Sequence, residues 1–148
     1  MSTTVFAAQS SNAPTASRTA SNRLGDGAEL LGRIMLAALF ALSGLGKISA
    51  YAATAGYMAA AGLPGALLPL AIIAEIGGGL ALILGWKTRA VAVLLAGFTL
   101  LTGLLFHANL GDQMQMIMFM KNLAIAGAFL ILAARGAGSY SLDARAAR

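Results

Sequence analysis

The sequence has no cysteine. This excludes a disulfide framework, a thiolate nucleophile and a cysteine-held metal or iron–sulfur cluster. It has one histidine, His107, so a bis-histidine haem cannot be built within one subunit. Charge is also scarce. Only 10% of the residues are charged, against about 25% in an ordinary soluble domain, so the chain lacks the polar surface to stay in water. No Ser–His–Asp set, metal-ligand cluster or dinucleotide fingerprint is evident, so no catalytic residue and no metal site is assigned. The stretch Gly44-Leu45-Gly46-Lys47-Ile48 lacks the leading glycine and the trailing Ser/Thr of a phosphate loop.

What is present is apolar. Hydrophobic residues make up 59% of the chain, and the mean hydropathy is +0.81. Four apolar stretches run from about Glu29 to Ile48, Gly65 to Leu84, Ala90 to His107 and Met114 to Ala134. At about 1.5 Å per residue, each crosses about 30 Å of hydrocarbon. Lipid leaves no backbone donor or acceptor unpaired, so these stretches must be helices. The expected fold class is all-α, an integral membrane four-helix bundle. Three parts are expected: a disordered cytoplasmic tail over 1–27, the bundle over 28–135 and a basic cytoplasmic tail over 136–148.

The first part is rich in Ser, Thr and Ala and has no acid before Asp26. It lacks the apolar core of a secretory signal, and two arginines are too few for a transit peptide. Ser49 to Pro64 carries no charge but includes Tyr51, Tyr57 and Met58, which suits a short helix lying at the membrane surface. Basic residues flank one side of the expected bundle: Arg18, Arg23 and Arg33, then Lys87 and Arg89, then Arg135, Arg145 and Arg148. The positive-inside rule then places both termini in the cytoplasm. The net charge of +5 is read as these flanks, not as a nucleic-acid surface.

Charges inside apolar spans are costly and mark the candidate site. On the first helix, Arg33, Ala37, Phe40, Gly44 and Lys47 fall along one face. Arg33 and Lys47 read either as helix-end anchors or as part of a polar interior. Glu75 lies near the middle of the second span and cannot snorkel far. Helix rise puts Lys121 within a lysine stem of that depth, so a Glu75–Lys121 ion pair is expected, with Asn122 nearby and Arg33 approaching from the cytoplasmic side. The cluster Arg33, Lys47, Glu75, Lys121 and Asn122 reads either as a register-fixing packing device or as a ligand or proton site. Its surplus of positive charge suits an anion or a quinone carbonyl. His107, Asn109 and Asp112 form a second polar group at the outer interface, read chiefly as interfacial and alternatively as a weak metal or proton site. Met114, Met116, Met118 and Met120 would share a face on an extended chain. On a helix they scatter and read as packing residues.

Several of these stretches, in this order and spacing, resemble the DoxX family of small four-helix bacterial inner-membrane proteins, which implies a multi-pass protein of the bacterial inner (plasma) membrane. The resemblance rests on Leu31-Gly32-Arg33, Ser43-Gly44-Leu45-Gly46-Lys47 and Ala59-Ala60-Ala61-Gly62-Leu63-Pro64. It rests also on Glu75 with Gly77-Gly78-Gly79, Gly85-Trp86-Lys87-Thr88-Arg89, Leu105-Phe106-His107 and Lys121-Asn122-Leu123-Ala124. It spans about Leu31 to Ala134. The family takes its name from a small subunit associated with an archaeal quinol oxidase. The resemblance therefore implies an accessory subunit of a quinone-linked membrane oxidoreductase. Such a subunit would have no intrinsic cofactor, a quinone as possible ligand, and a redox enzyme or further copies of itself as possible partners. The alternatives are a small transporter built on the buried Glu–Lys pair and a structural interaction module.

Overall fold

A computed structural model describes residues 15–148, with side chains from residue 23 onward. Six α-helices follow in order: α1 (Thr15–Ser49), α2 (Tyr51–Ala60), α3 (Leu68–Leu84), α4 (Thr88–Phe106), α5 (Gln113–Arg135) and α6 (Leu142–Ala146). A 3₁₀ turn, Gly65–Leu67, leads into α3. Among the described residues there is no strand, and four helices are long and apolar enough to cross a membrane. These are the four expected spans, and α2 is the short helix expected between Ser49 and Pro64. Residues 1–14 of the expected tail lie outside the described residues, whereas 15–27 continue α1 without a break.

The helix ends follow local chemistry. Pro69 sits in the first turn of α3, where its missing N–H costs little. Gly85, at φ 66°, closes α3 in a Schellman arrangement. Its N–H donates to the Leu82 carbonyl at 3.1 Å, and the Trp86 N–H donates to the Ala81 carbonyl at 2.9 Å. Asp112 caps α5 by accepting from the Gln115 N–H at 2.9 Å. The cap of α4 comes from far along the chain. Asp143 accepts from the Lys87 and Thr88 N–H groups at 2.7 and 2.8 Å.

α1 packs chiefly on α3 and α4 on α5, and α3 joins the two pairs through α4. The core is small: Ala37, Phe40, Leu82, Ala92, Leu95, Ala96, Ala126 and Phe129. Phe40 meets Phe129 edge-on at 5.2 Å and Phe98 at 6.4 Å. Large apolar side chains such as Leu31, Leu42, Ile73, Leu94 and Ile131 point outward. In water such a surface would aggregate. Against acyl chains it is a matched solvent, so the spans contact the bilayer.

Close helix approach depends on small residues. A Cβ on Gly79 would stand 3.0 Å from the Ala37 carbonyl oxygen and 3.2 Å from the Ala41 nitrogen, both backbone atoms of α1. A Cβ on Gly77 would meet nothing within 4 Å. Gly79→Val is therefore expected to destabilise the bundle by about 1–3 kcal/mol through overpacking. Gly77→Val should stay within about 0.5 kcal/mol of the parent. Thermal unfolding of both variants in mild detergent checks the contrast.

Candidate functional site

α1 presents Ser43 and Lys47 one turn apart on the face turned to α3. Between them Gly44 carries no side chain, and a Cβ there would lie 3.3 Å from the Glu75 Cβ. Glu75 therefore fits against α1, where it is only 5% exposed. Lys47 Nζ donates to Glu75 Oε1 at 2.8 Å and to Ser43 Oγ at 2.8 Å. Ser43 Oγ donates to the same carboxylate oxygen at 3.3 Å. The second oxygen, Oε2, is buried and has no hydrogen-bond partner.

This differs from the expected Glu75–Lys121 pair. Among the described residues, Lys47 is the cation in ion-pair contact with Glu75. Depth alone favoured Lys121, but α5 packs on α4 while α3 packs on α1. The lysine on the adjacent helix reaches inward along its flexible stem and takes the acid. Lys121 is exposed, and its Nζ contacts the Met118 Sδ at 3.2 Å.

Lys47, Glu75, Lys121 and Asn122 nevertheless line one cavity of about 630 Å³. It lies in the half of the bundle where α1 ends and α5 begins. Its walls are largely apolar, including Leu39, Met58, Leu70, Leu101 and Ile125, and Phe40 and Phe98 close its inner side. α2 lies across it, with Tyr57 stacked on Phe106 at 5.3 Å. Asn122 donates to the Met118 carbonyl one turn back at 3.0 Å. A Cβ on Gly103 would stand 3.1 Å from the Asn122 Cβ, so α4 approaches closely there.

The second polar group does not converge. His107 lines the cavity, but its Nδ1 lies 2.8 Å from Gln115 Oε1, to which it donates. Asp112 is engaged as the α5 cap, and the Asn109 carbonyl accepts from the Asp112 N–H at 3.2 Å. Among the described residues no three His, Asp or Glu side chains could hold a metal ion. Sequence reasoning did not nominate Ser43 or Gln115. Ser43 was findable as the residue one helical turn before Lys47. Gln115 required the fold of the α4–α5 link.

Arg33 belongs elsewhere. It was expected to approach Glu75, yet it is 1% exposed at the other end of the bundle and donates to the carbonyls of Ala137 and Tyr140, the latter at 2.6 Å. The segment 136–148 thus folds back as a clasp. The Asp143 N–H donates to the Gly85 carbonyl at 2.9 Å, and Ser139 donates to Asp26 at 2.9 Å. Partial burial pushes the Asp143 carboxyl up, but the Thr88 and Lys87 donors and the Arg33 charge outweigh it and hold Asp143 below the usual carboxylate range.

Comparison with known proteins agrees with this architecture. The DoxX family model matches residues 28–108. The chain is 51% identical to the inner membrane protein YqjF of Escherichia coli (strain K12), covering 82% of this chain and 93% of that protein. It is 38% identical to the inner membrane protein YphA of the same organism, covering 78% and 88% respectively. No solved structure matches.

Two outcomes are expected. Lys47→Met leaves Glu75 buried without a counter-charge and should cost about 3–5 kcal/mol in detergent unfolding. Lys121→Met should cost less than about 1 kcal/mol, because its ammonium is exposed. The clasp should be pH-sensitive. An acid whose folded pKa is depressed stabilises fully above its unfolded pKa, and that contribution is lost as pH falls through the folded value. The protection of the Lys87 and Thr88 amides against hydrogen exchange, taken relative to the intrinsic rate at each pH, should therefore fall only in acid below the ordinary carboxylate range, and Asp143→Asn should remove the transition.

Proposed function

The chain belongs to the DoxX family, and we propose that its cavity binds a lipid-soluble quinone or quinol as an accessory component of a membrane oxidoreductase. Its relatives' names support an inner-membrane location, and the cation-rich end where α1 begins and α5 ends supports cytoplasmic termini. The observation that carries the reading is the orphaned Glu75 Oε2 beside a largely apolar cavity.

The donor set fits the ligand class. An ammonium has three donors, and Lys47 spends two on Ser43 and Glu75. The third can donate to a quinone carbonyl. Glu75 Oε2 can accept from a quinol hydroxyl. The apolar wall takes the ring and the start of a hydrocarbon tail, and the volume lies within the range of small-molecule sites, about 300–1,000 Å³. When bound, a quinone would supply the carriage of two electrons and two protons that this chain's own side chains lack. The chain would bind, orient and hold a proton donor at Lys47 and an acceptor at Glu75, and the partner enzyme would exchange the electrons. A permeability path carries less support, since Phe40, Phe98 and Phe129 fill the bundle beyond the cavity.

Purification from native membranes in mild detergent, followed by ultraviolet and mass analysis of an organic extract, tests the proposal. Near-stoichiometric quinone and a copurifying redox enzyme are expected. A charge-assisted hydrogen bond is worth about 1.5–3 kcal/mol, so Glu75→Gln should lower quinone retention about 10- to 100-fold in a folded protein. Equal retention by parent and variant, or quinone-free parent protein, would discard it.

A further inference from the structure

The net charge of the chain is not spread along it. Eight of its ten cations and three of its five acids lie at the end where α1 begins and α5 ends, while the cavity end holds Lys47 and Lys121 against Glu75 and Asp112. The whole surplus of five positive charges therefore sits at one end.

Part of that surplus converges. A groove between the start of α4, the end of α5 and the returning C-terminal segment is lined by Lys87, Arg89 and Arg135. Asp143 also borders it, but both its oxygens are occupied by the Lys87 and Thr88 N–H groups. Among the described residues, none of the three cations lies within ion-pair distance of a carboxylate. Arg89 has only a long 3.5 Å contact to the Arg135 carbonyl, and its guanidinium lies against Gly136. Gly136, at φ 94°, turns the chain there with no side chain in the way.

Two further features fix the depth of this groove. Trp86, with Lys87 Nζ 5.3 Å from its ring, is 52% exposed in the α3–α4 turn, as tryptophans at headgroup level are. One helical turn inward from Arg89 and from Arg135 stand Val93 and Ile131, 54% and 63% exposed. Cations at the rim and bare apolar surface directly beneath them match a molecule with an anionic head and hydrocarbon chains. A free anion would use only the rim.

We infer that Lys87, Arg89 and Arg135 form a binding site for the phosphate headgroup of an anionic phospholipid, whose acyl chains lie along Val93 and Ile131. The arginines can present paired N–H donors to phosphate oxygens, and Lys87 adds a point charge. Basic recesses between membrane helices bind anionic headgroups by the same chemistry. The site is separate from the cavity and does not depend on the ligand proposed for it.

The chain's one tryptophan, Trp86, reports on the groove directly. The full-length protein in neutral detergent would be titrated with phosphatidylglycerol, with phosphatidylcholine and with inorganic phosphate, following Trp86 fluorescence. A saturable change with phosphatidylglycerol is expected, at least about tenfold tighter than with phosphatidylcholine and weakened by added salt. Arg89→Gln/Arg135→Gln should weaken it about tenfold or more, and Lys87→Gln should weaken it less. Arg23→Gln, an exposed cation at the same end but outside the groove, should leave it unchanged. Circular dichroism confirms that each variant is folded. Equal response to both lipids, no loss in the double variant, or equal loss in Arg23→Gln would overturn the site. Full competition by millimolar phosphate would show a free-anion site and overturn the lipid assignment.

Discussion

A carboxyl group at the middle of a membrane helix must be protonated, hydrated or paired, and here Glu75 pairs with Lys47. That requirement organises half of the bundle. The stem of Lys47 must turn inward from the end of α1, and α3 must lie close enough to be reached. Both conditions are met because Gly44 and Gly79 carry no side chains where α1 and α3 touch. Small residues let the helices approach, and in the rotation they adopt Glu75 lies against Ser43 and Lys47. The same rotation leaves one carboxylate oxygen unengaged beside the cavity.

The opposite end is organised by a different charge. Among the described residues Arg33 is buried without an ion-pair partner, and backbone carbonyls of the C-terminal segment accept its hydrogen bonds. Asp143 on that segment in turn completes the start of α4. One buried cation therefore ties the first helix to the last segment and, through it, to the third span. The two ends are chemically distinct. One is balanced in charge and holds an apolar cavity with a polar corner. The other is strongly cationic and carries a groove lined by Lys87, Arg89 and Arg135.

Much of this was legible in the residues. The four spans, the short helix after Ser49, Pro69 in a first turn and the basic turn at Lys87 and Arg89 follow from apolar run length, proline chemistry and cation placement. Four of the five residues proposed as a buried polar cluster, namely Lys47, Glu75, Lys121 and Asn122, do line one cavity. The pairing within it was not legible. Helix rise measures depth along the membrane normal and says nothing about which helices are neighbours or how each is rotated. Lys121 was at a suitable depth but on a helix packed against α4, and Arg33 was at a suitable face but drawn to carbonyls contributed more than a hundred residues later.

The amino-acid sequence by itself determined that this chain lives in a bilayer, how many times it crosses, and that an acid and several bases must be accommodated there. Those are consequences of local composition, because every residue in hydrocarbon pays its own solvation cost whatever surrounds it. Tertiary structure alone decided which base answers Glu75, that Arg33 holds the C-terminal segment, and that cavity and cationic groove fall at opposite ends. Those depend on helix adjacency and rotation, which arise from side chains meeting across distances in sequence that no local pattern encodes.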